Sequence, residues 1–457
     1  MTRPELIKGL GLYGATSVVA GTMIGTAIFV VPGIMLQHLA SPWLVLGVWV
    51  LAGVLSLFGA LGYAELGAAI PEAGGEYVYL HRSYGPLIGF LYGWTQFFVA
   101  KTGSIAAIAT GFVIYLSYFF PRLNDALWTS PFAGVPLRVT GLQIGATVMI
   151  LLLSTVNIVG VRSSGAVQTI FTASKLVVLG LLVVLGFTLG EGSFAHLTST
   201  VASHPQTGFI SALGVATISA LWAYDGWNNL SMVSGEVENP QRNIPRALIL
   251  GSILVIGVYA LTNLAYFYIL TPAEIAGTST VAADAARHLL GRAGGGFVAV
   301  GVMISALATL NGSILAGSRI PFAQARDGLF PKALARVHPG FHTPVAAIIA
   351  QSVVASLLAL TGQYEALFTK VIFAEWLFYM LVTAGIFILR RRQPDLERPY
   401  RTWGYPVVPA IFVVLAGLLL LNTFWERRID SLWGLVMVGT GIPAYFLWKI
   451  HKAKTAS

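Results

Sequence analysis

The chain has 457 residues, of which 56% are hydrophobic and only 10% charged. Soluble domains carry roughly a quarter charged residues, so this composition excludes a soluble globular protein and makes lipid the solvent for most of the chain. The net charge of +9 invites a nucleic-acid surface, but topology explains it below, and the absence of cysteine excludes disulfides and thiolate metal sites.

A span needs about 20 apolar residues, and the apolar runs read as about twelve helices. The first six predicted spans are Leu12 to Leu39, Trp43 to Ile70, Leu87 to Phe119, Thr140 to Val159, Val167 to Leu189 and Phe209 to Ser234. The other six are Ala247 to Leu270, Gly296 to Ala323, Pro344 to Leu360, Leu367 to Leu389, Pro406 to Asn422 and Ser431 to Ile450. The first run is too long for a signal peptide and lacks a small-residue cleavage site, so it is expected to remain as a span. Loops are short, and no soluble domain is expected.

Within the first run, "VVAGTMIGTAIFVVPG" (Val18 to Gly33) is interrupted by Gly21, Thr22, Gly25 and Thr26. Irregular backbone survives in a membrane only where protein, ligand or ion satisfies it. Gly21 and Gly25 also fit the small-xxx-small spacing of close helix packing, and this segment alone leaves the two readings level. Context decides, because the sixth run carries a second interruption, "LWAYDGWNNLSMVSG" (Leu221 to Gly235), with Asp225, Gly226, Asn228 and Asn229 inside it. Discontinuous helices at matching positions of two halves are the best sequence pointer to a transporter site. The halves are taken as 1–190 and 205–390, with 391–457 forming two added helices. A broken helix offers free N–H groups to a carboxylate and free carbonyls to an ammonium, and a zwitterionic amino acid presents both.

An even number of spans puts both termini on one side. Of the 27 Lys and Arg, 18 fall on that side, among them Arg3, Lys8, Arg390, Arg391, Arg392, Lys449 and Lys454. Seven fall opposite, including Arg122, Arg138, Arg427 and Arg428, and Lys101 and Lys175 lie inside spans. The positive-inside rule then makes the termini cytoplasmic.

Lys175 stands at mid-span, where a lysine costs about 2.5 to 3.5 kcal/mol, so a role inside the bundle is the default over snorkelling. Lys101 reads as half of a structural ion pair whose partner the sequence does not name. Asp225 and Glu375 are intramembrane acids of the kind that mark proton relays or cation sites. The loop charges Glu65, Glu236, Glu238, Arg242 and Arg246 read as helix caps and solvated charge in preference to an inner gate network.

An enzyme is excluded by pattern. His38, His81, His196, His204, His288, His338, His342 and His451 show no zinc-like spacing, and neither a nucleophile elbow nor a phosphate loop occurs. A channel would need a continuous polar pore, whereas polar residues concentrate at the two breaks.

Taken together, "GTMIGTAIFVVPG", "GALGYAELGAAIPEAGGEYVYL", "FTASKLVVLG", "LWAYDGWNNL", "GEVENPQRNIPRAL", "LTNLAYF", "LNGSILAGSR" and "ARDGLFPKALARVHP" resemble the L-type amino-acid transporter branch of the amino acid-polyamine-organocation superfamily. The last two spans match mainly through "RRRQPDLERPYR" and hydropathy. The resemblance implies an all-α membrane protein of twelve helices in a LeuT-type 5+5 inverted repeat with helices 1 and 6 discontinuous. It assigns Gly25, Thr26 and Ala27 to a substrate carboxylate and the carbonyls of Met23, Trp222 and Asp225 to the amine. Where Ala27 stands, family members usually carry glycine. Trp222 matches an aromatic gate, with Ser104, Ile108, Asn228, Phe373 and Trp376 around the substrate side chain. Lys175 falls where sodium-coupled relatives bind a cation, with Ser313 and the carbonyls near Gly21 as partners, so sodium-independent transport is expected.

The function expected from sequence is therefore exchange of neutral L-amino acids by alternating access in the inner membrane of a bacterium or archaeon. A proton-coupled symporter, including one for cationic amino acids or polyamines, is the alternative, with Asp225 and Glu375 as its proton or charge sites. No cofactor or metal is expected, and lacking cysteine the chain is expected to work without a disulfide-linked heavy subunit.

Overall fold

The computed structural model describes the chain apart from residues 1–4, 133–134, 202–207, 279, 292, 362–363, 427 and 457. Arg3, His204 and Arg427 therefore lie outside the described residues, as do the side chains of 129–138, 364–372, 426 and 451–456, among them Arg138, His451 and Lys454.

The first expected span is split into α1 (Leu12–Met23), a tight turn at Ala27–Phe29 and α2 (Val31–Leu39). At 1.5 Å per residue α1 is about 18 Å long, too short for a hydrocarbon core of about 30 Å, so only both halves together reach across. α3 (Pro42–Ala69) opens on a proline, tolerated because the first helical N–H has no partner anyway. α4 (Glu76–Tyr84) is a short polar helix, and α5 (Pro86–Thr95) joins α6 (Lys101–Leu116) through a π turn at Gln96–Ala100. β1 (Ala126–Phe132) and β2 (Val135–Thr140) then form an antiparallel hairpin. That hairpin corrects the all-helical expectation: "ALWTSPF" and "VPLRVT" are short, proline-punctuated and rich in aromatic and β-branched residues, a strand signal that a search for apolar runs passes over.

α7 (Gly141–Val159) starts at a capping box in which the Thr140 N–H donates to Gln143 Oε1 at 2.6 Å. α8 (Val161–Leu189) follows, and the sixth expected span is again split, into α9 (Phe209–Ala223) and α10 (Asn229–Met232). α11 (Pro240–Ile269) begins before the expected Ala247, because the polar turns of "PQRNIPR" extend the helix past its apolar stretch. α12 (Pro272–Ala276), α13 (Val281–Leu290), α14 (Ala293–Gly317), α15 (Arg319–Arg326) and α16 (Val345–Thr361) come next. The chain finishes with α17 (Tyr364–Arg392), α18 (Val407–Glu426), α19 (Arg428–Gly439) and α20 (Gly441–Ala456). Among the described residues nine helical stretches are long and apolar enough to cross a membrane, with α9 and α16 apolar but shorter. The protein is a multi-pass helical membrane protein.

One end of the bundle is sealed by polar contacts that involve both terminal regions. The Gly9 and Leu10 N–H groups donate to the Glu236 carbonyl at 2.9 and 3.0 Å, and the Glu238 N–H donates back to Leu10. Trp448 Nε1 of α20 donates to the Gly328 carbonyl at 3.1 Å. Two loop acids expected to be caps or solvated are buried in ion pairs instead. Glu236 receives Arg319 through Nε and Nη2, both at 2.8 Å, with neither side chain exposed at all. Glu65 receives Arg390 at 2.8 and 2.7 Å and the Thr402 N–H at 2.7 Å, and Arg390 lies over the Tyr405 ring. Glu238, Arg242 and Arg246 are exposed, as loop charge ordinarily is.

Removing one partner of a buried pair leaves an uncompensated charge, which costs roughly 3–5 kcal/mol, whereas replacing both by apolar groups is often nearly neutral. Arg319→Met is thus expected to lower the Tm of purified protein strongly in detergent thermal unfolding. Adding Glu236→Leu should recover most of the loss, and a double variant less stable than the single would refute this account.

Candidate functional site

The two helix breaks meet in the middle of the bundle. Thr22 Oγ1 donates to the Gly226 carbonyl at 2.8 Å, and Tyr259 OH of α11 lies 2.9 Å from both the Met23 and the Ala223 carbonyls. Gly226 has φ +116°, and a Cβ there would lie 2.9 Å from the Thr22 carbonyl, so only glycine lets the breaks approach this closely. Tyr259 is held by the rings of Trp49 and Tyr224, at centroid distances of 5.1 and 5.0 Å.

Beside this junction lies a cavity of about 150 Å³. One water needs roughly 10–15 Å³ of such space, so the cavity suits a small organic solute. Met23, Gly25, Thr26, Ala27, Trp222 and Asp225 contribute from the breaks, Lys101, Ser104 and Ile108 from α6, and Ala306, Thr309 and Ser313 from α14. The Gly25 N–H is already given to the Met23 carbonyl at 2.8 Å, and Tyr259 also reaches that carbonyl. The Asp225 N–H donates to the Trp222 carbonyl at 3.2 Å. The Thr26 and Ala27 N–H groups and the Asp225 carbonyl have no partner among the described residues and adjoin the cavity. Trp222, 40% exposed, forms part of the wall, while Asn228, Ser231 and Glu236 on the way to the sealed end are buried.

On the far side of α1, Lys175 is buried and saturated. Its Nζ donates to the carbonyls of Gly21 at 2.8 Å, Ile24 at 2.5 Å and Ser305 at 3.1 Å, with Thr309 Oγ1 at 3.4 Å. Ser305 Oγ adds a bond to Ile24 O at 2.9 Å, and Thr309 Oγ1 one to Gly21 O at 3.2 Å. The carbonyls that α1 loses at its C-terminal end are thereby satisfied by an ammonium and two hydroxyls. Ser313 is not among these partners, which corrects the expected triad. Ser305, Thr309 and Ser313 share one helix face at i, i+4 and i+8, and Ser313 stands one to two turns too far along, in the cavity wall instead.

Further polar contacts run from the cavity wall into the bundle behind it. Lys101 Nζ donates to Asn229 Oδ1 at 2.7 Å, so its partner is an amide and not the carboxylate an ion pair would require. Asp225 Oδ1 accepts from Tyr379 OH at 2.7 Å. Glu76 of α4 accepts from Tyr63 at 2.8 Å, from Asn228 Nδ2 at 3.1 Å and from Tyr92. Glu375 is buried beside Gln96 of the π turn.

Three expected pocket residues do not reach the cavity. Asn228 points to Glu76, and its neighbour Asn229 takes the cavity position, since one residue of helical turn rotates a side chain by about 100°. Phe373 packs on Phe424, and Trp376 packs on Tyr379 and Phe412. From α17 it is Tyr379, one turn beyond Trp376, that touches the second break. Tyr259, Ser305 and Thr309 are further site residues beyond those expected from sequence. Ser305 and Thr309 have a signal in their four-residue spacing from Ser313, but Tyr259 sits in an apolar run without one.

The family model described as amino acid permease matches residues 10–443. The chain is 33% identical to the Asc-type amino acid transporter 1 of Mus musculus over 455 residues, covering 99% of this chain and 83% of the relative. It is 34% identical to the large neutral amino acids transporter small subunit 2 of Homo sapiens over 458 residues, covering 99% and 83%. With the human b(0,+)-type amino acid transporter 1 it shares 33% over 456 residues, covering 98% and 89%.

Lys175→Met keeps the length of the stem but strips the Gly21, Ile24 and Ser305 carbonyls of their charged donor, and each unsatisfied buried group costs about 1–3 kcal/mol. The variant is expected to lose several degrees of Tm in detergent, with Lys175→Arg intermediate. A Tm unchanged in Lys175→Met would show that the hydroxyls of Ser305 and Thr309 suffice.

Proposed function

The chain belongs to the amino acid permease family, and we propose that it exchanges one neutral L-amino acid for another by alternating access, without sodium, in the inner membrane of the cell. The observation that carries this reading is the cavity at the junction of two broken helices, lined by Thr26, Ala27 and Asp225, of which the first two N–H groups and the last carbonyl have no partner among the described residues. Those groups suit the carboxylate and ammonium of an amino acid. Ser104 and Ile108 would then face its side chain, and Trp222 would close over it. Lys175 supports sodium independence, because its ammonium already claims the carbonyls that a cation would need.

The wider architecture of this proposal is twelve spans, a 5+5 inverted repeat over 1–190 and 205–390, and cytoplasmic termini. The two breaks, five expected spans apart, support the repeat, and the excess of Lys and Arg at the sealed end supports the orientation. The names of the relatives quoted above support an amino-acid substrate. One of them is described as a small subunit, yet without cysteine this chain has no means of joining a partner by a disulfide.

A second reading is proton-coupled symport, including transport of cationic amino acids or polyamines. Asp225 in the cavity wall and Glu375 behind it favour that reading, since intramembrane carboxylates of this kind serve as proton or cation sites.

Exchange predicts that liposomes preloaded with a neutral amino acid take up labelled substrate while empty ones do not, equally in sodium and choline media. An inward proton gradient should add little, and neither Asp225→Asn nor Glu375→Gln should remove the need for internal substrate. Proton-driven accumulation in empty liposomes that Glu375→Gln abolishes would establish symport instead. If Trp222 gates the cavity, Trp222→Ala should cut exchange at least about tenfold in a protein of normal Tm, equivalent to about 1.4 kcal/mol at the transition state.

A further inference from the structure

α1 runs from the sealed end, where Gly9 and Leu10 bond to Glu236, to the cavity wall at Met23, so its hold on the neighbouring helices bears on any opening toward that end. Its contact with α8 is built from three side chains on one face, Gln168, Thr172 and Lys175, spaced by four and three residues. Lys175 takes the helix end. One turn earlier along α1, the Ser17 carbonyl accepts from Gln168 Nε2 at 3.2 Å and from Thr172 Oγ1 at 3.1 Å. Gly21 lies between these contacts: a Cβ there would come within 2.3 Å of both Gln168 Nε2 and Thr172 Oγ1. Hydrogen at Gly21 is what lets two polar side chains lie flat on the backbone of α1.

The orientation of Gln168 is fixed from behind by a chain of amides. Its Oε1 accepts from Asn311 Nδ2 of α14 at 2.8 Å, and Asn311 Oδ1 accepts from Asn157 Nδ2 of α7 at 3.1 Å. Ser164 Oγ donates to Asn157 Oδ1 at 2.7 Å, and Asn311 Nδ2 is shared with the Ser164 carbonyl at 3.2 Å. Asn157, Ser164, Gln168 and Asn311 are wholly buried. With Oε1 committed to Asn311, the amide must present Nε2, a donor, to Ser17. The chain therefore relays a fixed hydrogen-bond polarity from α7 through α14 and α8 to α1.

We propose that Gln168 and Thr172 are positioning residues, which hold α1 against α8 through the Ser17 carbonyl and so set how readily the sealed end opens. They differ in kind from Lys175. Bonds from neutral donors to one carbonyl are individually weak, so they can be broken and remade in each cycle, whereas the buried ammonium of Lys175 needs its carbonyl cage in any state in which it stays charged. The inference rests on the alternating-access reading for its role in transport, but the hold itself is measured without any substrate.

The absence of cysteine makes the test direct. Ser231→Cys places one thiol in α10, wholly buried between the cavity and the sealed end. In purified, detergent-solubilised protein the rate of labelling by a soluble maleimide then reads the opening of that end. Adding Gln168→Met or Thr172→Val is expected to raise the rate several-fold singly and roughly tenfold together, the population shift expected from losing ordinary hydrogen bonds. Thr172→Ser, which keeps the hydroxyl, should leave it unchanged. A monodisperse size-exclusion peak for each variant shows that the fold survives. Should Gln168→Met fail that criterion, the near-isosteric comparison of Thr172→Val with Thr172→Ser decides by itself. Equal labelling across that pair would overturn the proposal, whatever the response to substrate. Labelling of the Ser231→Cys protein that no amino acid in a panel alters would instead count against the carrier reading, leaving the comparison of variants to judge the hold.

Discussion

Everything in this molecule turns on the backbone polar groups released where two helices stop inside an apolar medium. Each such group left bare costs several kcal/mol, so a broken helix persists only if something answers for every N–H and C=O it frees. The carbonyls of Gly21 and Ile24 are answered by Lys175, Ser305 and Thr309, that of Met23 by the Gly25 N–H, that of Ala223 by Tyr259, and that of Gly226 by Thr22. Some of the freed groups are left without a partner among the described residues. Among them are the Thr26 and Ala27 N–H groups and the Asp225 carbonyl, whose residues line the cavity beside the junction.

Charge is distributed by the same rule. At the sealed end, where water is near, buried carboxylates meet guanidinium groups in two-point contacts, Glu236 with Arg319 and Glu65 with Arg390. Deeper in, charges are met by dipoles. Lys175 sits among backbone carbonyls at the C-terminal end of α1, where the helix dipole is negative, and Lys101 faces the amide oxygen of Asn229. Rigid ion pairs thus close one end of the molecule, while α8 meets α1 through the Lys175 ammonium at the helix end and through the neutral amide of Gln168 and hydroxyl of Thr172 at Ser17.

Much of the architecture was legible in the sequence because the bilayer imposes a length and a polarity on every span. The expected runs coincide with α3, α7, α14 to α15, α16 and α18 to within a few residues, and both breaks occur where glycine and polar residues interrupt apolar stretches. The hairpin at Ala126–Thr140 was missed, since strands in a short polar loop leave no mark on hydropathy. Helix starts at Val161 and Pro240 were placed too late for a related reason, as helices continue past the bilayer in polar turns.

The sequence by itself determined that the chain lives in a membrane, that two of its spans are broken, and that Lys175 lies inside the bundle, because the cost of polarity in hydrocarbon is a local property of each segment. Only the tertiary structure decided which groups meet. Lys175 found Ser305 and Thr309 instead of Ser313; Asn229 and not Asn228 entered the cavity; Tyr379 rather than Trp376 reached the second break; Glu65 and Glu236 left the surface for Arg390 and Arg319. The Asn229 choice turns on helix rotation, where one residue swings a side chain by about 100°, and the others on how far neighbouring elements slide along or pack against one another. Rotation and axial position are both set by packing among neighbouring helices, and no run of residues read along one chain contains that information.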